Sequence, residues 1–265
     1  MTIVDFHSHM IPAVDDGSDS LEQSLVALKN MWDQGITHVI TTPHFKASTL
    51  KPPDAFEAEM GRIDEAWGEL LPAVAKSLPK LRLDRGVELA LDDSEPSVTD
   101  SRVRLAGTRF VLVEFPNFVI PPNSTRPLLH LRESGVTPIV AHPERYQNLD
   151  DSLEVLHQWK GSGAFLQLDA GSIVGFYGAR AEKLAWRCLD AGVIDYLSSD
   201  YHARGNCLIA EARRRMEARN CVSHFDFLTE NGERMMRDLY PAPMIPRSRS
   251  KSWWNRLKGA FLTPK

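Results

Sequence analysis

The sequence has only three cysteines, Cys188, Cys207 and Cys221, and none belongs to a Cys-x-x-Cys pair. An odd count without that spacing indicates neither a disulfide framework nor a structural zinc site built on thiolates. Residues 207–213 match the Cys-x5-Arg spacing of cysteine-based tyrosine phosphatases. That chemistry needs a loop of backbone N–H groups around phosphate, whereas the intervening Leu-Ile-Ala-Glu-Ala favours a helix. We therefore predict that Cys207 is an ordinary half-buried side chain.

Long apolar runs are also missing. No segment approaches the roughly 18–20 apolar residues that would span a bilayer. The chain enters a strand-like Thr-Ile-Val-Asp-Phe segment at once, without the basic and apolar regions of a signal peptide. These absences predict a cytoplasmic protein. The length of 265 residues fits one large α/β domain with a substantial core.

Basic charge is scarce except at the C-terminus. Residues 241–265 contain six basic residues and no acidic one, so the net charge of −4 leaves −10 on residues 1–240. An acidic body is not typical of a duplex-DNA-binding domain, so we expect no nucleic-acid partner. We predict a catalytic-type domain over 1–240 and a basic, Trp-containing tail over 241–265.

The tail has the pattern of a surface-binding helix. Within residues 247–265, apolar side chains fall near one helical face and basic side chains surround it. The residues are Trp253, Trp254, Leu257 and Phe261, with Lys251, Arg256 and Lys258. Such a segment can lie on an anionic membrane surface. A helix docked on the domain and a disordered basic end are the alternatives.

Seven apolar, β-branched segments alternate with helical patterns along the domain. They are residues 2–6, 37–42, 81–89, 109–115, 137–141, 164–169 and 194–199. Helices are predicted from a Ser20 N-cap to Gly35, and over 126–135, where Gly135 ends the pattern. This alternation predicts a parallel sheet with helical crossovers, and short buried strands suit a barrel.

Histidines and carboxylates of the metal-binding type follow the predicted strands. They are His7, His9, Asp15, Asp16, His44, Glu88, Glu114, His142, Asp200 and His202. Carboxyl ends of parallel barrel strands converge on one face, where active sites are built. The sequence therefore predicts a multinuclear metal site. Four other histidines lie off this pattern and are interpreted as structural, namely His38, His130, His157 and His224.

Imidazole and carboxylate without thiolate suit manganese, iron or zinc, and ligand type alone does not choose among them. Nine of these ten residues would provide enough ligands for three ions if one carboxylate bridges. Clustered metals support phosphoryl hydrolysis, because they polarise phosphate oxygens and activate water. Arg145, three residues after His142, could bind phosphate with two parallel hydrogen bonds. A capping or surface arginine is the alternative for this position.

A set of short motifs resembles the PHP (polymerase and histidinol phosphatase) superfamily. Within it, the set is similar to the metal-dependent tyrosine phosphatases of bacterial capsule and exopolysaccharide operons. The motifs are DFHSH (5–9), DDG (15–17), TPH (42–44), GVEL (86–89), LVEF (112–115), AHPERY (141–146) and SDYH (199–202). They occur in order over residues 1 to about 240.

This resemblance implies a distorted, TIM-like (β/α)7 barrel with three divalent ions at the carboxyl ends of its strands. The ions would be manganese, with iron or zinc as alternatives. One ion would be held by His7, His9, Glu88 and Asp200. A second would share Glu88 and be completed by Glu114 and His142. The third would be held by Asp16, His44 and His202.

The resemblance also implies an activity, which is hydrolysis of phosphotyrosine by metal-bound hydroxide. The substrate would be the tail of a membrane-associated bacterial tyrosine kinase that controls polysaccharide export, met at the inner face of the membrane. Arg145 matches the family's phosphate-contacting arginine, whereas Arg204 stands earlier than the second arginine of the family. Two alternatives remain open: a small-molecule phosphatase acting on histidinol phosphate or a sugar phosphate, and a non-catalytic, metal-stabilised domain that binds the kinase.

Overall fold

The computed structural model describes residues 2–244, in which parallel strands alternate with helices. The strands are β1 (Ile3–Asp5), β2 (Ile36–Thr41), β3 (His44–Lys46), β4 (Arg82–Arg85), β5 (Glu88–Ala90), β6 (Phe110–Glu114), β7 (Thr137–Ala141), β8 (Phe165–Asp169) and β9 (Tyr196–Ser198). The helices are α1 (Leu21–Asp33), α2 (Pro53–Ser77), α3 (Thr125–Glu133), α4 (Glu154–Gly161), α5 (Ala170–Ile173), α6 (Ala179–Ala191), α7 (Ile209–Ala218) and α8 (Val222–Met236).

The strands form two all-parallel sheets. One has the order β1-β2-β4 and the other has the order β3-β5-β6-β7-β8-β9. Between β1 and β9 the described chain has one isolated bridge, from Ser8 to Tyr201, and the Phe6 N–H donates to Ser198 Oγ at 3.1 Å. The α/β fold with parallel sheets is confirmed. The closed barrel is not, because no continuous ladder joins the two sheets within residues 2–244.

Two predicted strands are each divided by a bend. The predicted strand 81–89 is β4 and β5, separated at Gly86, where an added Cβ would lie 3.0 Å from the Arg104 carbonyl oxygen. The predicted strand 37–42 is followed after Pro43 by the short strand β3, which the sequence did not indicate. Glu88 and His44 therefore begin strands rather than end them. They are paired in register, which places both side chains beside the bend.

The two predicted helices are confirmed. Ser20 caps α1 by accepting a hydrogen bond from the Gln23 N–H at 3.2 Å, and Gly35 follows the helix at φ +91°. Helix α3 covers most of the second prediction, with Pro127 in its first turn and Gly135 beyond its end at φ +83°. These helices pack apolar faces against the sheets, as expected for βαβ units.

Residues 245–265 lie outside the described residues, so the predicted basic tail is not characterised structurally. Within residues 2–244 no helix combines the length and the apolar character that crossing a membrane requires.

Candidate metal centre

The structure gathers the predicted ligands at one edge of the two sheets, in three overlapping clusters. Within each cluster the potential ligand atoms all lie within 4.8 Å of one another. The first cluster is His7, His9, Glu88 and Asp200; the second is His44, Glu88 and Glu114; the third is His9, Asp16, His44 and His202. Eight of the nine predicted ligands belong to these clusters. The ninth, His142, lies against the first two, with its Nε2 3.0 Å from Glu88 Oε1.

The loop after β1 is fixed against the loop after β9. The His9 N–H donates to the Tyr201 carbonyl at 2.9 Å, next to the bridge between Ser8 and Tyr201. Gly17 crosses directly over His9, where an added Cβ would lie 2.3 Å from the His9 carbonyl oxygen. This close approach requires glycine in the Asp-Asp-Gly motif. The short loops thereby hold the two histidines of the His-Ser-His motif beside Asp200.

Two of the candidate ligands have left-handed backbones. His142 has φ +35° and Asp200 has φ +47°. Such conformations are unfavourable for residues with a Cβ, although His and Asp adopt them more readily than most. His142 directly follows β7, and Asp200 lies two residues beyond β9. In each case the left-handed residue turns the chain out of the strand beside the first cluster. Strain of this kind is typical of functional sites.

Buried acceptors orient the two histidine rings of the His-Ser-His motif. His7 Nδ1 lies 2.9 Å from Gln167 Oε1, and His9 Nδ1 lies 2.7 Å from Asp15 Oδ2. If each Nδ1 carries the proton, each Nε2 presents a lone pair to the clusters. Metal-binding histidines are commonly fixed in this way by a partner on the other ring nitrogen. Gln167 and Asp15 are therefore orienting residues.

The carboxylates control the protonation of this pair of rings. Burial lowers the pKa of His9, but the hydrogen bond to Asp15 and the proximity of Asp200 outweigh it and raise that pKa to about 10. For Asp15 the effects have the opposite signs: burial raises the pKa, but the hydrogen bond from His9 outweighs burial and lowers the pKa to about 2. A metal ion competes with protons for the same nitrogens, so metal affinity should fall in acid.

We expect Asp15→Asn to weaken metal binding about 10- to 100-fold, the usual effect of removing a partner that orients a ligand. The asparagine could still contact His9 but would lose the negative charge that favours the Nδ1–H tautomer. The Kd for Mn²⁺ would be measured by calorimetric titration of the metal-free variant and wild type. Asp19→Asn, in an exposed position of the same loop, should have no effect. Unchanged affinity in Asp15→Asn would show that Asp15 does not orient a ligand.

Four buried atoms of the centre that could bind a metal have no hydrogen-bond partner among the described residues. They are His7 Nε2, His9 Nε2, Glu88 Oε2 and Asp200 Oδ1. They nevertheless lie close together: Asp200 Oδ1 is 3.1 Å from His7 Nε2 and 3.2 Å from His9 Nε2. Buried polar atoms normally have hydrogen-bond partners. Nitrogen and oxygen atoms that converge from two loops and the start of β5, without hydrogen-bond partners, are the ligand set of a divalent metal site.

Two other members of the centre have pKa values shifted by burial. Burial, followed by the negative charge of Glu88, raises the pKa of Glu114 to about 7. Burial, followed by the positive charge of Arg145, lowers the pKa of His142 to about 4. A histidine held neutral at physiological pH is ready to act as a metal ligand. The shift of His142 is consistent with its predicted ligand role, whereas Glu114 would have to lose a proton to bind a cation at neutral pH.

Arg145 lies at the margin of the centre in an aromatic and acidic environment. One guanidinium nitrogen contacts Asp200 and lies 3.1 Å from Asp169 Oδ2. Its planar group is covered by Phe118 on one side, at 4.6 Å, and by Tyr177, at 4.0 Å. These contacts fix the guanidinium plane beside Asp200. The sequence did not indicate Asp169, Phe118 or Tyr177, because they contact Arg145 only through the fold.

Arg204, the second arginine considered for phosphate binding, does not share the buried, ion-paired environment of Arg145. Arg204 is exposed in the loop that follows His202, and no ion pair joins it to any residue between 2 and 244. Beside the centre on the other side, a cleft of about 640 Å³ opens next to His44 and Glu114, with Asp16 and Lys46 also in its walls. The cleft therefore opens onto the second and third clusters, which contain these ligands.

The remaining predictions concern residues outside the centre. His38 lies in β2, and His130, His157 and His224 lie on α3, α4 and α8, in agreement with structural roles. Cys207 is buried rather than half-buried, with 3% of its surface exposed, and precedes α7.

We predict that Cys207→Ser leaves phosphatase activity within about twofold of the wild type. Burial raises the pKa of the Cys207 thiol to about 12, so the thiol is protonated at neutral pH and is a poor nucleophile. Initial rates with a phosphotyrosine peptide and metal content would be measured in parallel. Loss of activity with full metal content would contradict this expectation.

Curated tyrosine-protein phosphatases are similar to this chain over most of its length. Tyrosine-protein phosphatase YwqE of Bacillus subtilis (strain 168) is 27% identical over 259 residues, covering 94% of this chain and 98% of the relative. Tyrosine-protein phosphatase CpsB of Streptococcus agalactiae serotype III (strain NEM316) is 26% identical over 207 residues, covering 76% of this chain and 83% of the relative.

A similar fold is found among solved structures. The match is to a structure described as YwqE from Bacillus subtilis and CpsB from Streptococcus pneumoniae, unique metal-dependent tyrosine phosphatases. Its TM-score is 0.78 at 27% identity, covering 92% of this chain and 99% of the other. The family model for capsular polysaccharide synthesis proteins, CpsB/CapC, matches residues 3–237. This chain therefore belongs to the CpsB/CapC family of capsular polysaccharide synthesis proteins.

Proposed function

We propose that the protein is a metal-dependent phosphatase that hydrolyses phosphotyrosine in proteins. The observation that carries this proposal is the position of Arg145 in contact with Asp200, a member of the first metal-type cluster. A guanidinium beside clustered cation ligands is an arrangement suited to a phosphate dianion. The names of the relatives and of the solved structure support the same activity.

Three divalent ions, of manganese type, would occupy the centre. The donor set fits hard or borderline cations because it contains imidazoles and carboxylates and no thiolate. The first ion would take His7, His9, Glu88 and Asp200. The second would share Glu88 and take Glu114, with His142 or His44 completing it. The third would take Asp16, His44 and His202.

Ions bound there would polarise the phosphate oxygens and make a coordinated water more acidic. The chain's own part is to position the phosphate. Arg145 is restrained by its aromatic neighbours, and one of its terminal nitrogens contacts Asp200 of the first cluster. With a cation held at Asp200, that carboxylate would attract Arg145 less strongly, and the guanidinium could donate to phosphate instead. The leaving group is a phenolate, whose conjugate acid has a pKa near 10, so it can depart without a protonated side chain and then take a proton from water.

The fold is proposed to be an open, distorted (β/α)7 barrel of the PHP type. Seven strand positions support this, because β2 continues into β3 and β4 continues into β5 across a bend. The paired bends are joined by the Glu88 N–H, which donates to the Pro43 carbonyl at 3.0 Å. The single bridge between Ser8 and Tyr201 marks where the barrel would close.

The substrate is proposed to be a phosphotyrosine segment of a membrane-associated bacterial tyrosine kinase. The capsular polysaccharide description of the family supports this context. The cleft beside His44 could receive an extended segment of such a partner. Residues 1–240 would form the phosphatase domain, working in the cytoplasm, and residues 247–265 could hold it near the inner face of the membrane.

The proposal is tested by comparing two substrates. Manganese-loaded protein would be assayed with a multiply tyrosine-phosphorylated kinase-tail peptide and with L-histidinol phosphate, each with and without EDTA. We expect kcat/KM for the peptide to be at least about 100-fold higher, and EDTA to remove the activity. A preference for histidinol phosphate would assign the site to metabolism. Turnover of neither, in fully loaded protein, would favour a binding domain.

A further inference from the structure

Phe176 is an exposed aromatic residue close to the phosphate-binding arginine. It is 69% exposed on the segment between α5 and α6. Single exposed apolar residues are common on protein surfaces and need no explanation by themselves. The position of this one is unusual, because its ring makes an edge-to-face contact with Tyr177, at 5.0 Å and 87° between the planes.

The segment that carries Phe176 is held in a defined conformation. The Phe176 N–H donates to the Gly171 carbonyl at 2.9 Å. Gly175 and Gly178 flank the aromatic pair at φ +81° and φ +90°, values that favour glycine. The neighbouring Tyr177 ring packs on the backbone, where a Cβ added to Gly171 would lie 2.8 Å from Tyr177 Cε2. The loop therefore presents the Phe176 ring in a fixed place.

The chain of contacts leads from this ring to Arg145. The Tyr177 ring lies 4.0 Å from the guanidinium carbon of Arg145, and Phe118 covers the guanidinium as well. Both of those rings are occupied by the cation, whereas most of Phe176 is free. Between Phe118 and Tyr177 a pocket of about 210 Å³ reaches the guanidinium, with Gln147 and Arg180 also in its walls, and Phe176 lies just outside these walls, against Tyr177. Its volume is below the usual range for cofactor or drug-sized ligands, which suits a single side chain.

We propose that Phe176 contacts the phenyl ring of the substrate's phosphotyrosine and thereby selects aryl over alkyl phosphates. This inference rests on the proposed function. A phosphate bound at the edge of the Arg145 guanidinium carries its aryl group on one ester oxygen, which brings the ring within reach of the aromatic residues around the guanidinium. Edge-to-face and offset contacts between aromatic rings are favourable beyond the area they bury. An aliphatic phosphate ester offers no ring for this contact.

The test measures binding rather than turnover. Phenylphosphonate and methylphosphonate share a phosphonate group and differ in the ring, and neither is hydrolysed. Their Kd values for the manganese-loaded full-length protein would be measured by calorimetry. We expect Phe176→Ala to weaken phenylphosphonate about three- to tenfold and to leave methylphosphonate within about twofold. Phe176→Trp should keep the aryl preference, and Val26→Ala, an exposed apolar position on α1, should not change it.

The possible results separate this inference from the proposed function. Equal weakening of both phosphonates by Phe176→Ala would indicate a disturbed loop and would overturn the inference. Kd values for both phosphonates that are the same in Phe176→Ala as in the wild type would also overturn it. Phosphotyrosine peptide turnover by the wild type would be measured alongside. If the wild type turns over the peptide and Phe176→Ala binds phenylphosphonate as tightly as the wild type does, this inference alone is refuted.

Discussion

Replacing Asp200 with alanine should lower kcat for a phosphotyrosine peptide by at least about 1000-fold. Asp200 belongs to the first cluster through Oδ1, which approaches His7 Nε2 and His9 Nε2 at 3.1 and 3.2 Å. Its other oxygen contacts Arg145. One substitution therefore removes a candidate metal ligand and a carboxylate that holds the Arg145 guanidinium. Two losses in a residue set that acts as a unit are not additive, and activity should be removed almost completely.

The Asp200→Ala protein should also bind fewer ions. We expect the bound manganese, measured by mass spectrometry after gel filtration, to fall by about one ion per chain, because the first cluster loses a carboxylate that neutralises the cation. Asp19→Asn is the matched control and should keep both activity and metal content. An Asp200→Ala protein that retains substantial turnover with a normal KM would show that the first cluster is not part of the active site.

Replacing Arg145 with alanine should reduce kcat/KM about 100- to 1000-fold while leaving the metal content unchanged. This is the usual range when one donor to a developing charge is removed. Arg145 is in no metal-type cluster, so the ions should stay bound. Its loss also removes the cation held between Phe118 and Tyr177.

Arg145→Lys should recover only a small part of this loss. A lysine keeps the charge but lacks the planar group that two aromatic rings cover and that can donate two parallel hydrogen bonds. Steady-state kinetics and manganese content would be measured for both variants. Arg126→Ala, at an exposed position on α3, serves as the control. Full activity in Arg145→Ala would exclude Arg145 from phosphate binding, and a loss of ions would give it a structural role instead.

Much of the centre could be predicted because its residues follow strands. His7, His9, His142 and Asp200 lie immediately beyond β1, β7 and β9, and short buried strands are readily detected in a sequence. Parallel pairing then brings their side chains to one edge whatever the details of the loops. The meeting of these four side chains therefore followed from topology.

The parts that were missed depend on contacts between distant segments. His44 and Glu88 begin strands after a bend, because Pro43 and the close approach at Gly86 interrupt ladders that look continuous in the sequence. Gln167 orients His7 across 160 positions, and a buried glutamine has no local pattern that reveals such a role. Closure of the barrel is similarly a matter of a few hydrogen bonds between β1 and β9, which composition does not determine.

The assignment of ligands within the centre also goes beyond the pattern. The resemblance implied that His142 completes the ion shared by Glu88 and Glu114, whereas His44 is the histidine that clusters with those carboxylates. His44 Nδ1 lies 3.1 Å from Glu88 and its Nε2 lies 3.3 Å from Asp16. One imidazole therefore stands between the second and third clusters, and a bound ion would decide which ring nitrogen is used.

The most direct test of the central claim is a crystal structure of the manganese-loaded protein with anomalous diffraction, paired with a metal count in solution. The account predicts three manganese ions, one in each cluster, with Glu88 bound to two of them. It also predicts that progressive removal of metal lowers phosphotyrosine hydrolysis in proportion. Full phosphatase activity in protein without bound metal, or ions bound away from His7, His9 and Asp200, would contradict it.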